Sequence, residues 1–230
     1  MKRSEGYQAS PPQNTEQLKE RLFSIMGKSL SELATFAKIA LPVSPVHGKG
    51  FQGELIERLL GASAPGLPIP DFPNLGIELK TVPVSADFKV LESTFFCSAP
   101  LNEMRVRRFE DSILFHKISR VLFVFLVAPR DFAYEKRYVA GFRFWSPSKE
   151  DLAVIRQDYD ELMEKVSLGL VEEISARNGN VIQMRPKAAN GQALTDCVGP
   201  AGTMIKVRPR GFYMRRIFMQ NLIDGFRKSS

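Results

Sequence analysis

The sequence predicts an α/β protein, a mixed β-sheet flanked by helices, and three features carry that prediction. Residues 120–128 are nearly continuously apolar, as expected of a central strand covered on both faces. Residues 77–84 and 136–145 alternate with the period of two that a half-buried strand requires. Apolar residues also recur at helical spacing, most extensively over residues 149–176 at Leu152, Ile155, Tyr159, Leu162, Val166 and Leu170, with acids on the other side. A chain of 230 residues with 44% hydrophobic content buries a substantial core, and its length suits one large domain or two lobes.

Residues 1–13, with Pro11 and Pro12 and few apolar side chains, read as a flexible N-terminal tail, and residues 14–230 as the folded domain. Thr15 opens a helix with Leu18, Leu22 and Ile25 on one face and Gly27 as its stop. Ser29 or Ser31 caps a second helix through Leu33, Phe36 and Ile39, which Pro42 ends. Residues 45–51 are glycine-rich, so their backbone can approach a phosphate closely with Lys49 as the cation, although the Walker spacing is absent. Residues 53–61 read as a short helix carrying Glu57, and the prolines and glycines between residues 63 and 76 form a loop that delivers Asp71 to the strand at 77–84. Residues 90–99 read as a further strand. Beyond the long helix, residues 181–184 form a short strand entering Arg185-Pro-Lys187, and residues 211–226 read as a helix interleaving Phe212, Tyr213 and Phe218 with Arg215 and Arg216.

The net charge of +7 favours a polyanionic partner. Its distribution is polarised: from Met204 onward Lys206, Arg208, Arg210, Arg215, Arg216, Arg227 and Lys228 face only Asp224. Cys97 and Cys197 are the only cysteines and His47 and His116 the only histidines, so zinc held by Cys/His spacing is excluded and any metal should be held by oxygen. No stretch reaches the roughly 18 apolar residues of a membrane span, and the polar opening residues lack a signal-peptide core, so a cytoplasmic protein is expected.

The chemistry concentrates in Asp71-Phe-Pro-Asn-Leu-Gly-Ile-Glu78-Leu79-Lys80. Strand alternation puts Glu78 and Lys80 on one face and Leu79 and Thr81 on the other. Hard divalent cations such as Mg²⁺ bind one or two carboxylates plus substrate phosphate, and Asp71 and Glu78 are suited to that task. A lysine two residues on can orient or deprotonate an attacking water, or offset charge building on phosphorus. The same acid-x-Lys triplet also occurs as an ordinary ion pair on an edge strand.

Several further stretches resemble the MutH family of strand-nicking mismatch-repair endonucleases, within the restriction-endonuclease-like superfamily. They are Gly-Lys49-Gly-Phe-Gln-Gly-Glu-Leu-Ile-Glu57, Leu60-Gly-Ala-Ser-Ala, Asp71 to Thr81, Leu91-Glu-Ser-Thr-Phe95, His116-Lys117, Trp145-Ser-Pro147, Gln183-Met-Arg185-Pro-Lys187-Ala-Ala-Asn190 and Pro209-Arg-Gly-Phe-Tyr213. The resemblance implies a restriction-endonuclease-like sheet in two lobes that form a DNA-binding cleft. It implies Asp71, Glu78, Lys80 and Glu57 as the catalytic set, with metal on Asp71, Glu78 and the Leu79 carbonyl. The cofactor would be Mg²⁺, with Mn²⁺ or Ca²⁺ able to occupy the same site. Lys49 and Lys117 match lysines near that family's active site, and Phe95, Arg185 and Tyr213 match positions implicated in DNA recognition. Lys187, Arg215 and Arg216 join them as basic residues placed to touch DNA. The implied activity is incision of the unmethylated strand at hemimethylated GATC, activated by the MutL ATPase after MutS finds a mismatch, and one Asp/Glu/Lys constellation per chain predicts a monomer. Two alternatives stay open: a GATC restriction enzyme that breaks both strands, and a DNA-binding module without catalysis.

Overall fold

The computed structural model describes residues 6–42, 50–103, 107–129, 132–187 and 192–228. Its helices are α1 (Thr15–Ile25), α2 (Leu30–Ala37), α3 (Phe51–Leu60), α4 (Ile113–Ile118), α5 (Lys149–Ser167) and α6 (Arg216–Lys228). Its strands are β1 (Glu78–Val84), β2 (Thr94–Ser98), β3 (Val121–Val127), β4 (Tyr138–Trp145), β5 (Ile182–Pro186), β6 (Thr195–Val198), β7 (Met204–Val207) and β8 (Arg210–Met214). They fall into two compact units: Met1–Glu92 with Arg120–Ser146, and Ser93–Ser119 with Pro147–Ser230. The strands expected to form one mixed sheet are therefore divided. β1, β3 and β4 form a mixed sheet in the first unit, β2 joins an antiparallel sheet in the second, and β6 and β7 pair as a hairpin that the sequence reading did not anticipate.

In the first unit the order is β1-β3-β4, with β1 parallel and β4 antiparallel to β3. All seven residues of β3 are buried, which explains why its sequence shows no alternation. Leu122, Val124 and Leu126 pack with Leu18, Leu22, Leu33, Leu55, Ile56 and Leu60, so α1, α2 and α3 share one apolar cluster with the sheet. The Asn14 side chain accepts from the Gln17 amide to start α1. Ser29 and Glu32 form a reciprocal capping box that starts α2, which ends at Ala37 because Lys38 turns left-handed at φ 54°.

The expected flexible tail is tied down over residues 6–13. The Tyr7 and Ala9 amides donate to the carbonyls of Ala37 and Arg58, and Asn74 Nδ2 donates to the Pro12 carbonyl at 2.7 Å. Arg21 Nη1 bridges the carbonyls of Ser10 and Leu60. Composition had suggested disorder because these bonds use backbone atoms, which leave no trace in side-chain pattern.

In the second unit β8 lies between β2 and β5, antiparallel to both. This corrects the helix expected over residues 211–226: residues 210–214 are a strand and only Arg216–Lys228 is helical. A central strand must satisfy its amides on both sides, and two neighbours here supply the partners. The helix expected to run to residue 176 stops at Ser167. Gly169, at φ 77°, brings the chain so near Gly199 that a Cβ would stand 2.4 Å from its carbonyl carbon. Leu170 and Val171, at the start of a short 3₁₀ turn (Val171–Glu173), prolong the apolar spacing, and Val171 is fully buried. No helix among the described residues is long and apolar enough to cross a membrane.

Gly61 ends α3 at φ 86°, and a Cβ there would stand 2.2 Å from the Ser10 carbonyl oxygen. Gly61→Ala should therefore cost about 1–3 kcal/mol and loosen the N-terminal segment. The check is a lower unfolding temperature together with faster hydrogen exchange at Ala9.

Candidate active site and nucleic-acid interface

The six residues between Asp71 and Glu78 close on themselves. Phe72 and Ile77 exchange backbone bonds at 2.9 and 3.2 Å, and the Leu75 and Gly76 amides donate to Phe72 and Pro73, making a tight turn with Gly76 at φ 62°. Phe72 and Ile77 are both fully buried, so the turn is pinned into the core. Asp71 and Glu78, the residues just outside this bridge, are thereby set side by side. Asp71 Oδ2 then accepts the Leu79 amide at 2.9 Å.

β1 is an edge strand, and the Glu78 amide donates to the Arg120 carbonyl on the β3 side. Successive residues of a strand address opposite sides, and the N–H and C=O of one residue point the same way. The Leu79 carbonyl accordingly points to the open edge where Asp71 sits. Glu78 and Lys80 share a face as expected, with Lys80 Nζ 2.5 Å from Glu78 Oε1. Both acids are nearly inaccessible, Asp71 at 3% and Glu78 at 1% exposure, while the lysine side chain keeps 15%.

Glu57 completes the constellation from α3. Gly53, one turn earlier, sits against β1, where a Cβ would lie 3.7 Å from Thr81 Oγ1. Glu57, one turn further along α3, is partly buried and feels the charges of Asp71, Lys80 and Glu78. Burial, then the charge of Asp71, pushes its carboxyl from 4.5 up to about 7; Lys80 opposes the shift, and Glu54 and Glu78 add to it. Three acids against one lysine leave an excess of negative potential that fits a hard cation. Among the described residues no three His, Cys, Asp or Glu side chains converge closely enough to hold an ion alone.

A second cluster lies on one face of the antiparallel sheet. Phe95, Tyr213 and Gln183 occupy one row across β2, β8 and β5. The Phe95 and Tyr213 rings meet edge to face at 5.2 Å. Lys187 Nζ lies 3.1 Å from the centre of the Phe95 ring, and the Arg185 guanidinium lies 5.7 Å from that of Tyr213 while Nη1 donates to Ser93 Oγ at 2.8 Å. Phe95 leans over Gly211, where a Cβ would stand 2.6 Å from the ring. The opposite face carries Phe212 and Met184 into the core against Tyr159 of α5. The outcome is an aromatic floor topped by two exposed cations, Arg185 and Lys187.

Residues 60–158 match the family model described as MutH, DNA mismatch repair enzyme. A DNA mismatch repair protein MutH from Serratia proteamaculans is 44% identical over 213 residues, covering 93% of each chain. Another from Shewanella sp. strain MR-7 is 41% identical over 93% of this chain and 96% of its own, and one from Yersinia pseudotuberculosis strain PB1/+ is 44% identical over 90% and 91%. The chain belongs to the MutH family.

The sequence-predicted residues of this MutH-family chain divide into groups. Asp71, Glu78, Lys80 and Glu57 come together, as do Phe95, Arg185, Lys187 and Tyr213. Lys49 lies outside the described residues. Lys117 is on α4 and 5% exposed, among the packed residues of the second unit. Arg216 opens α6 and is exposed. Arg215 is not on a helix face; its Nη1 donates to the carbonyls of Gly179 at 2.5 Å and Arg177 at 3.4 Å. Sequence reasoning passed over Gly211 and the buried Asp158, whose only signals are a glycine beside an aromatic strand and an acid at an apolar helix position.

A carboxyl whose folded value is raised binds its proton more readily in the folded state. Glu57 therefore costs nothing below about 4.5, and its penalty grows as pH rises to about 7, above which the charged form is buried at full cost. In metal-free protein the unfolding temperature should fall between pH 5 and 8, and Glu57→Gln should flatten that fall and raise stability at pH 8. Thermal melts across this range in the presence of a chelator make the check.

Proposed function

We propose that this chain is a Mg²⁺-dependent endonuclease of DNA mismatch repair that nicks the unmethylated strand at hemimethylated GATC sites. The observation that carries it is the adjacency of Asp71 and Glu78, locked by the Phe72–Ile77 bridge, with Lys80 on the same strand face. Residues 14–230 would act as one endonuclease domain, with chemistry in the first unit and sequence reading in the second.

Asp71, Glu78 and the Leu79 carbonyl would hold the cation, and Mn²⁺ or Ca²⁺ would fit the same oxygens. When bound it supplies Lewis acidity toward the scissile phosphate and its attacking water. Lys80, paired with Glu78, would hydrogen-bond that water through a remaining proton and offset charge on the phosphoryl oxygens. Glu57, with its raised proton affinity, accepts or returns a proton near neutral pH, or supports a second ion. Lys49 would add positive charge along the phosphate backbone, whereas Lys117, expected to join it, is buried on α4 and offers no surface contact.

Sequence and methylation are read in the major groove, where adenine exposes N6 and a methyl group replaces one donor hydrogen. The Phe95/Tyr213 pair offers an apolar surface beside which an added methyl changes packing, and Arg185 and Lys187 offer donors to base-edge acceptors. Arg216 contributes a phosphate contact. One constellation per chain suits cutting one strand, so the protein acts as a monomer, with MutL as activator and MutS acting upstream. Its buried thiols Cys97 and Cys197 suit the reducing cytoplasm.

Glu78→Ala should abolish Mg²⁺-dependent nicking of a hemimethylated plasmid, with and without MutL, and leave DNA binding intact. Full activity in that variant removes the proposal. Linear product from the unaltered protein would favour a restriction enzyme instead, and no cleavage even with MutL would favour a binding module. Replacing Arg185 with Ala should erode the preference for GATC by about 1–3 kcal/mol. Arg216→Ala should instead weaken binding to every sequence and lower the log-log salt slope by about 0.9. Binding titrations on matched and altered sites at several salt concentrations separate the two.

A further inference from the structure

We infer that Arg215 is a positioning residue for sequence reading, which works with Asp158 to hold the start of β5, and that it does not contact phosphate. The inference rests on the proposed reading role of Arg185 and Lys187 and deepens it. Arg185 sits on β5 and Lys187 directly follows it, and β5 begins at Ile182 after the turn at 177–181. That turn is held from both sides by charge. On one side the Asp158 carboxylate of α5, with no solvent exposure, accepts three successive amides: Asn180 at 2.7 Å, Val181 at 2.6 Å and Ile182 at 2.8 Å. On the other side the Arg215 guanidinium donates to the carbonyls of Gly179 and Arg177, and its own amide donates to the Val181 carbonyl at 2.8 Å.

An acceptor-only group meets the N–H donors and a donor-only group meets the carbonyls, so the backbone of the turn is satisfied by two side chains of opposite sign. The turn also cannot relax locally. Gly179 holds φ 82°, and a Cβ there would stand 1.8 Å from the Ile182 carbonyl oxygen. Because side chains in a strand alternate, any slip of β5 by one residue would send Gln183 and Arg185 to the core face and Met184 outward. The clamp fixes that register at its origin. Arg215 joins it at the end of β8, two residues after Tyr213, so one guanidinium ties together the strands that carry Tyr213 and Arg185.

The test uses the full chain and two variants, Arg215→Gln and Arg215→Lys, with Asp158→Asn as the partner on the other side. Measured for each are nicking at GATC relative to sites altered by one base pair, the log-log salt slope of binding to a non-cognate duplex, and the unfolding temperature. The expected result is a loss of GATC discrimination by about tenfold in Arg215→Gln, with an unchanged salt slope, as for one lost charge-assisted hydrogen bond. Arg215→Lys should lose discrimination too, since one ammonium cannot reproduce the fork across two carbonyls. Asp158→Asn should show the same pattern, from a group that carries no positive charge to offer DNA. A slope lowered by about 0.9 in Arg215→Gln, with discrimination intact and full rescue by lysine, would mark a phosphate contact and overturn the inference. A lower unfolding temperature with both readouts unchanged would equally overturn it, as a structural role alone. Failure of the unaltered protein to prefer GATC would instead defeat the proposed function on which the inference stands.

Discussion

The first unit depends on one electrostatic constraint: Asp71 and Glu78 are buried, adjacent and alike in charge. Carboxylates in a low-dielectric surround are costly unless they are compensated. Here compensation comes from the Leu79 amide and the Lys80 ammonium, while the raised proton affinity of Glu57 reflects first its own burial and then the charge of Asp71. The fold imposes the arrangement. Burial of Phe72 and Ile77 stabilises the turn, and the turn holds the acids together whether or not a cation is present. A site that stores unfavourable charge in this way is preorganised for a cation and for the charge that develops on a phosphate under attack.

The second unit solves a different problem. Its antiparallel sheet buries one face against α5 and leaves the other for aromatic rings and cations, so a single pleat separates stability from recognition. Gly211 is part of that separation, because only a missing side chain lets the Phe95 ring lie across β8. The arginines differ according to what surrounds them. Arg185 projects from a strand over an aromatic ring, Arg216 is exposed, Arg210 is buried against the Ile174 carbonyl, and Arg215 is spent on a turn. Charge counting along the C-terminal segment treats them as equivalent, and burial shows that they are not.

Much of the architecture was legible because it rests on local pattern. The apolar run at residues 121–128 fits a strand covered on both sides, and β3 lies there. Ser29, one of the two expected caps, starts α2 where short polar residues precede apolar periodicity. The acid-x-Lys face was legible for the same reason, since strand alternation sets Glu78 and Lys80 together without knowledge of any neighbour. Residues 211–226 failed because Phe212, Met214 and Met219 can be spaced to suit either period, and the choice between them was made by β2 and β5.

By itself, then, the sequence determined the central strand and most of the helices, the pairing of a carboxylate with an ammonium on one strand, and the family. Only the tertiary structure decided that the strands belong to two sheets, that Glu57 shares the potential of Asp71, and that Arg215 faces backbone carbonyls. The physical reason is the range of the forces. Propensity, capping and alternation act within a few residues, whereas sheet membership and charge coupling depend on partners far apart in the chain, brought near only when the core closes.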